Sequence, residues 1–79
     1  MAALDTGAIL QDGAVLTKPG QIVDLEPDGD LELFFMSKVH GVLDEDRAVF
    51  GTKQERDEAL LRTVRLYLGE GWTLLGEES

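Results

Sequence analysis

The sequence predicts a small α+β domain: an antiparallel β-meander with one α-helix packed on one face, in the order β…βαβ. Three observations point there. Up to about residue 50, short apolar stretches alternate with Gly, Pro and Asp turn signals, as strands joined by tight hairpins do. Residues 52–68 instead carry apolar side chains at three- and four-residue spacing behind a capping motif. A last apolar run, Trp72-Thr73-Leu74-Leu75, follows two nearby glycines. The 79 residues make a single domain, 1–79. A chain this short buries only about 60% of its unfolded surface, so modest stability, or a dimer that adds to it, is expected.

Residues 1–7 are expected to be flexible, because ends rich in Ala and Gly fray. Ala8-Ile9-Leu10-Gln11 and Ala14-Val15-Leu16-Thr17 flank Asp12-Gly13, a type I′ hairpin signal, since both central residues of that turn need positive φ. Lys18-Pro19-Gly20-Gln21 suits a type II turn. Whether residues 1–20 join the sheet is left open by the pattern. The next hairpin has its first strand at 21–26, a turn at Pro27-Asp28-Gly29 with a bulge at the glycine, and its second strand at 30–39. That turn sets Glu26 opposite Asp30, Leu25 opposite Leu31, Asp24 opposite Glu32 and Val23 opposite Leu33. Phe34-Phe35-Met36 is apolar on both faces and suggests a strand that is central or covered on both sides. The strand runs on through Lys38-Val39-His40-Gly41-Val42-Leu43, Asp44-Glu45-Asp46 reads as a solvated loop, and Arg47-Ala48-Val49-Phe50 as one more short strand. Thr52 and Glu55 have capping-box spacing. The helix they open buries Leu60, Leu61, Val64, Tyr67 and Leu68, places Glu58 four residues before Arg62, and ends at Gly69 and Gly71. Trp72 and Leu74 share a face of the final strand.

The formal charge of -9 is uneven. Residues 1–46 hold ten acids and two bases (Lys18, Lys38), whereas residues 47–79 hold six acids and five bases. In the 21–33 hairpin the acids Asp24, Glu26, Asp28, Asp30 and Glu32 all fall on even positions, and Val23, Leu25, Leu31 and Leu33 on odd ones. Strand side chains alternate between faces, so one face is apolar and the other carries four clustered carboxylates, Asp24, Glu26, Asp30 and Glu32, with Asp28 at the tip. Like charges directly opposite each other cost roughly 0.2–1 kcal/mol per pair.

Most chemistry is argued against. With no cysteine there is no disulfide scaffold, thiolate metal site or Cys nucleophile, and the single His40 cannot build a multi-histidine zinc site in one chain. His40 and Ser37 lie three apart on the expected strand and point to opposite faces, which separates a Ser-His pair; His40 reads as a surface or interface residue. Asp24 to Asp30 matches the front of an EF-hand loop, with acids at positions 1, 3, 5 and 7 and Gly at 6, but position 12 is Phe35 where the loop needs a bidentate glutamate. Asp24 and Glu32 are near enough for paired-carboxylate catalysis, yet a convex hairpin supplies no cleft. No enzymatic activity, no cofactor and no metal are therefore expected. Arg47, Arg56, Arg62 and Arg65 could line one side of the helix region, though helix salt pairs account for them more simply; with no other basic cluster, direct nucleic-acid binding is not expected. Apolar runs fall short of a membrane span, and Met1-Ala2-Ala3-Leu4-Asp5 lacks the features of a secretory leader, so a cytoplasmic protein is expected.

What remains is the acidic surface. Its plain reading is a solvated face that keeps the chain soluble. Its functional reading is a partner-binding surface made of Asp24, Glu26, Asp28, Asp30, Glu32, Asp44, Glu45 and Asp46, matched to a basic protein surface. Carboxylates spaced about 6.8 Å along a strand are of the same order as successive phosphates on a nucleic-acid strand. The short chain, the missing catalytic constellation and the acids at 24–32 and 44–46 together resemble the small acidic phage-encoded inhibitors of the anti-CRISPR kind. The resemblance is general and implies no topology; it implies a non-enzymatic inhibitor that occupies a nucleic-acid-binding site of an effector complex as a DNA mimic. The alternatives are an antitoxin, immunity or adaptor protein that grips one partner through apolar groups such as Phe34, Met36 and Trp72, or a phage structural subunit. A monomer and a homodimer are both compatible with the sequence.

Overall fold

The computed structural model describes residues 4–75. The elements are α1 (Thr6–Asp12), β1 (Ala14–Lys18), β2 (Gln21–Asp28), β3 (Glu32–Val39), β4 (Val42–Val49), α2 (Lys53–Gly69) and β5 (Thr73–Leu74). The five strands form one antiparallel sheet in the order β4-β3-β2-β1-β5. The α+β class and the helix on one face are as the sequence predicts, but there are two helices. No helix among the described residues is long and apolar enough to cross a membrane.

The second helix is α1, where a strand and a hairpin turn were expected. The Asp5 carboxylate accepts from the Ala8 amide at 3.1 Å and caps its start, and Gly13 closes it by donating to the Ile9 carbonyl at 2.8 Å. Seven residues make no stable helix alone. Ile9 supplies the missing free energy by burying itself among Ala14, Leu16, Val23 and Leu25 of the sheet and Leu60 and Val64 of α2. Of the start expected to be flexible, residues 1–3 lie outside the described residues, Asp5 is the cap, and Thr6 and Gly7 belong to α1.

The β2–β3 hairpin forms with its turn at residues 29–31, further along than expected. Asp28 pairs with Glu32, Pro27 with Leu33, Glu26 with Phe34, Leu25 with Phe35 and Asp24 with Met36. Electrostatics favours this register. It leaves one like-charge pair directly opposite, Asp28 with Glu32, and places Glu26 and Asp24 beside apolar partners. Pro27 therefore lies inside β2. The β1 pairing ends at Leu25, so Pro27, which has no N–H, sits on a stretch bonded from one side only.

The expected loop at 44–46 is the middle of β4, an unbroken strand from Val42 to Val49 that includes the expected short strand at its end. The chain reverses before it at His40-Gly41, where φ is 51° and 84°, a two-residue hairpin of the primed kind. α2 follows the prediction closely: Thr52 Oγ1 accepts from the Glu55 amide at 3.1 Å, and Leu60 and Val64 are fully buried. The expected Glu58–Arg62 pair is not found among the described residues; Glu58 accepts from the Gln54 amide at 3.1 Å instead. Tyr67 and Trp72 meet edge to face at 5.0 Å between ring centres, and Lys18 lies 5.5 Å over the indole.

An uncovered acidic sheet face

Both helices cover the same side of the sheet. Val23, Leu25 and Leu33 point into the core beneath them, so the alternate residues of β2 and β3 point away. The molecule is only 18 Å along its shortest axis, room for two layers, and among the described residues no third element lies over the outer face. Phe35 is covered as expected, but Phe34 and Met36 lie on the open side.

The register fixes what the outer face displays. Asp24, Glu26 and Asp28 stand in a row along β2, at about 6.8 Å per step. Glu32, Phe34, Met36 and Lys38 follow on β3, and Leu43, Glu45, Arg47 and Val49 on β4. Arg47 crosses the face to reach Asp28 at 3.6 Å and Glu32 at 3.7 Å, and its guanidinium lies 5.8 Å over the Phe34 ring. It thus offsets the one opposed like-charge pair. Among the described residues, Asp24, Glu26 and Glu45 make no ion pair.

The eight acids singled out by sequence therefore separate. Asp24, Glu26, Asp28, Glu32 and Glu45 share the outer face. Asp30 sits at the exposed turn, and Asp44 and Asp46 point to the helix side of β4, beyond the reach of the helices and exposed. The arginines do not form a stripe either. Arg47 is on β4, Arg62 and Arg65 are exposed on α2, and Arg56 is buried. Trp72 packs against the core and is not part of the open face. No group of three or more His, Cys, Asp or Glu among the described residues is placed to hold a metal ion.

Arg56, which the sequence reading assigned to a helix salt pair, does form one with Asp57 and also has a larger role. Its Nη1 donates to the carbonyls of Gly29 and Glu32, both at 3.0 Å, and its Nε to Asp57 Oδ1 at 2.9 Å. The helix thus holds the acidic turn from behind. A signal was available: Arg56 lies four residues before Leu60 and eight before Val64, on the buried stripe of α2.

Two carboxyls titrate away from their usual values. The neighbouring Asp24 charge, slight burial and a hydrogen bond to Asp24 raise Glu26 above 4.5. At Asp57 partial burial pushes upward, but hydrogen bonds and charge from Lys53 and Arg56 outweigh it and hold the group below 3.8. The signs are opposite. The Glu26 contribution is present in full below 4.5 and is lost as pH rises through its raised value; the Asp57 contribution is present above 3.8 and is lost as pH falls through its lowered value. Relative to Glu26→Gln, the native chain should gain stability as pH drops from neutral toward 4.5; relative to Asp57→Asn, it should lose its advantage below 3.8. Urea midpoints measured across that range check both.

No protein-family model, curated protein or solved structure matches this chain.

Proposed function

We propose that this chain is a non-enzymatic inhibitor that lays its acidic sheet face on a positively charged, nucleic-acid-binding site of a target protein, in the manner of a DNA mimic and of the anti-CRISPR proteins it resembles. The observation that carries the reading is the row Asp24, Glu26 and Asp28, extended by Glu32 and Glu45, on a face that neither α1 nor α2 covers. A fixed row of charges on a sheet meets a cationic groove with little reordering, and its field speeds encounter. Phe34 and Met36 in the middle of the same face favour a second reading, an adaptor, immunity or antitoxin contact to one protein through apolar anchors.

One experiment separates the two. The native chain and a variant with Asp24→Asn, Glu26→Gln, Asp28→Asn and Glu32→Gln are used in parallel to capture a target from host lysate. The captured protein is then challenged with nucleic acid. Inhibition by mimicry predicts that the variant binds at least about tenfold more weakly, that nucleic acid displaces the native chain, and that binding falls steeply from about 0.1 to 1 M salt, where the Debye length shrinks from about 10 to 3 Å. Equal capture by both chains would remove the proposal. Loss on Phe34→Ala with little salt dependence would establish the adaptor reading in its place.

A further inference from the structure

The sheet has two very unequal edges. At one end β5 is two residues long, too short to template another strand. At the other, β4 runs for eight residues and, among the described residues, is bonded only by β3, with one side of its backbone unpaired. It contains no Pro, Gly or bulge; its guard is charge, from Asp44, Glu45, Asp46 and Arg47, which excludes most partners and registers and leaves open one whose charges are complementary. Leu43 is 53% and Val49 67% exposed on it.

From this we infer that β4 pairs with β4 of a second copy of this chain, joining two five-stranded sheets across a two-fold axis. The inference rests on the strand edge and not on the residues of β2; it shares only Glu45 with the acidic face. A two-fold axis perpendicular to the sheet requires antiparallel pairing in which each residue meets one of the same facing, so only alternate registers are available. In the register centred on Glu45, Glu45 meets its own copy and Asp44 meets Asp46 twice, which stacks like charges. Centred on Arg47, arginine meets arginine and the overlap shortens. Centred on Asp46, Glu45 meets Arg47 twice, Leu43 meets Val49 twice, and Asp44 meets Ala48 twice. Only Asp46 faces its own copy, and each opposed pair counts for roughly 0.2–1 kcal/mol. The attractive pairs outnumber the single repulsion in this register alone. Arg47 has capacity for the added contact, because its bonds to Asp28 and Glu32 are long and half of its side chain is exposed. The pairing sets the exposed Leu43 beside Val49 of the other copy and completes the backbone bonds of the edge. It also sets the acidic faces of both copies side by side on one surface of a continuous sheet.

The test is sedimentation equilibrium of the native chain from about 1 µM to 1 mM, a range that reports micromolar to millimolar dissociation constants. The mass should rise toward two chains, and the β4 amides should gain hydrogen-exchange protection over the same range while those of β1 stay constant. Glu45→Arg sets arginine against Arg47 and should leave a monomer with an unchanged circular dichroism spectrum. Adding Arg47→Glu restores opposite charges and should restore the dimer. The Asp24, Glu26, Asp28 and Glu32 variant should dimerise like the native chain, so loss of target binding and loss of dimer are read separately. A native chain that stays monomeric at 1 mM, or a dimer unmoved by Glu45→Arg and giving β4 no protection, overturns the inference.

Discussion

Replacing Arg56 by methionine is expected to lower the unfolding free energy by about 3–5 kcal/mol, the cost of breaking a buried ionic pair from one side. Methionine fills most of the stem volume, so the loss reports on the guanidinium and not on a cavity. Three acceptors lose their donor at once: the carbonyls of Gly29 and Glu32 and the carboxylate of Asp57. The two carbonyls belong to the turn that carries Asp28, Asp30 and Glu32, and the backbone has few other partners there beyond the bond from the Phe50 amide to the Leu31 carbonyl at 2.8 Å. Asp57 keeps Lys53 at 3.0 Å and is not left wholly unpaired. A domain of this length has roughly 4–12 kcal/mol of stability in all, so the variant should be close to unfolding at room temperature. Arg56→Lys should recover only part of the loss, because an ammonium cannot reproduce the planar fork that serves two carbonyls and a carboxylate together. Urea unfolding followed by circular dichroism measures both. An unchanged midpoint for Arg56→Met would mean that the buried cation gives no net stabilisation, its desolvation cancelling its bonds.

What the sequence made legible, and what it hid, follows from how local each signal is. α2 was readable because cap, stripe and stop all lie within the segment: Thr52, Leu60 with Val64, and Gly69. The faces of β2 and β3 were readable because alternation survives a slip of register by an even number of residues. Displacing the turn from Pro27-Asp28 to 29–31 changed every cross-strand partner but moved no side chain to the other face. The partners themselves depend on which charges can stand opposite each other, a property of the pair and not of either strand. Phe34-Phe35-Met36 marked a central strand, which β3 is, but not one covered on both sides, since Phe34 and Met36 are half-buried on the outer face. Nothing local distinguishes a residue covered by a helix from one left open. For the acids at 44–46, charge density suggested a loop, whereas pairing with β3 through the His40-Gly41 turn makes them an edge strand. There the same charges limit unwanted pairing. So the acidic face was foreseeable at Asp24, Glu26 and Glu32, whereas the displaced turn puts Asp28 on it in place of Asp30, and Glu45 joins it only through tertiary pairing.

Gly13→Ala is expected to cost about 3 kcal/mol or more, from adopting a backbone conformation open essentially to glycine alone and from steric overlap added to it. Gly13 has φ 82° and ψ −163°. A Cβ there would overlap the Leu25 carbonyl oxygen and stand 3.1 Å from the Glu26 Cα. Both neighbours are backbone of β2 and cannot rotate aside. Gly29 provides the control: its φ is 62°, with nothing within 4 Å of a Cβ, so Gly29→Ala should cost only about 1–2 kcal/mol for the left-handed conformation. The two substitutions are chemically identical, and the difference between their urea midpoints isolates the close approach at the α1–β2 crossing. The Gly13 variant can relieve its strain by releasing α1, since seven residues with one buried anchor are the least secured part of the core. Amides of α1 should then exchange rapidly while those of β3 remain protected, and Ile9 would leave an apolar gap beside Leu60. That local route leaves the outer face intact, because β3 pairing, the β1 pairing of Asp24 and the Arg56 anchor still hold Asp24, Glu26 and Asp28 once α1 is released. Equal midpoints for the Gly13 and Gly29 variants would show that α1 does not lie against β2 in solution. A fully unfolded Gly13 variant would show instead that burial of Ile9 is required by the whole core.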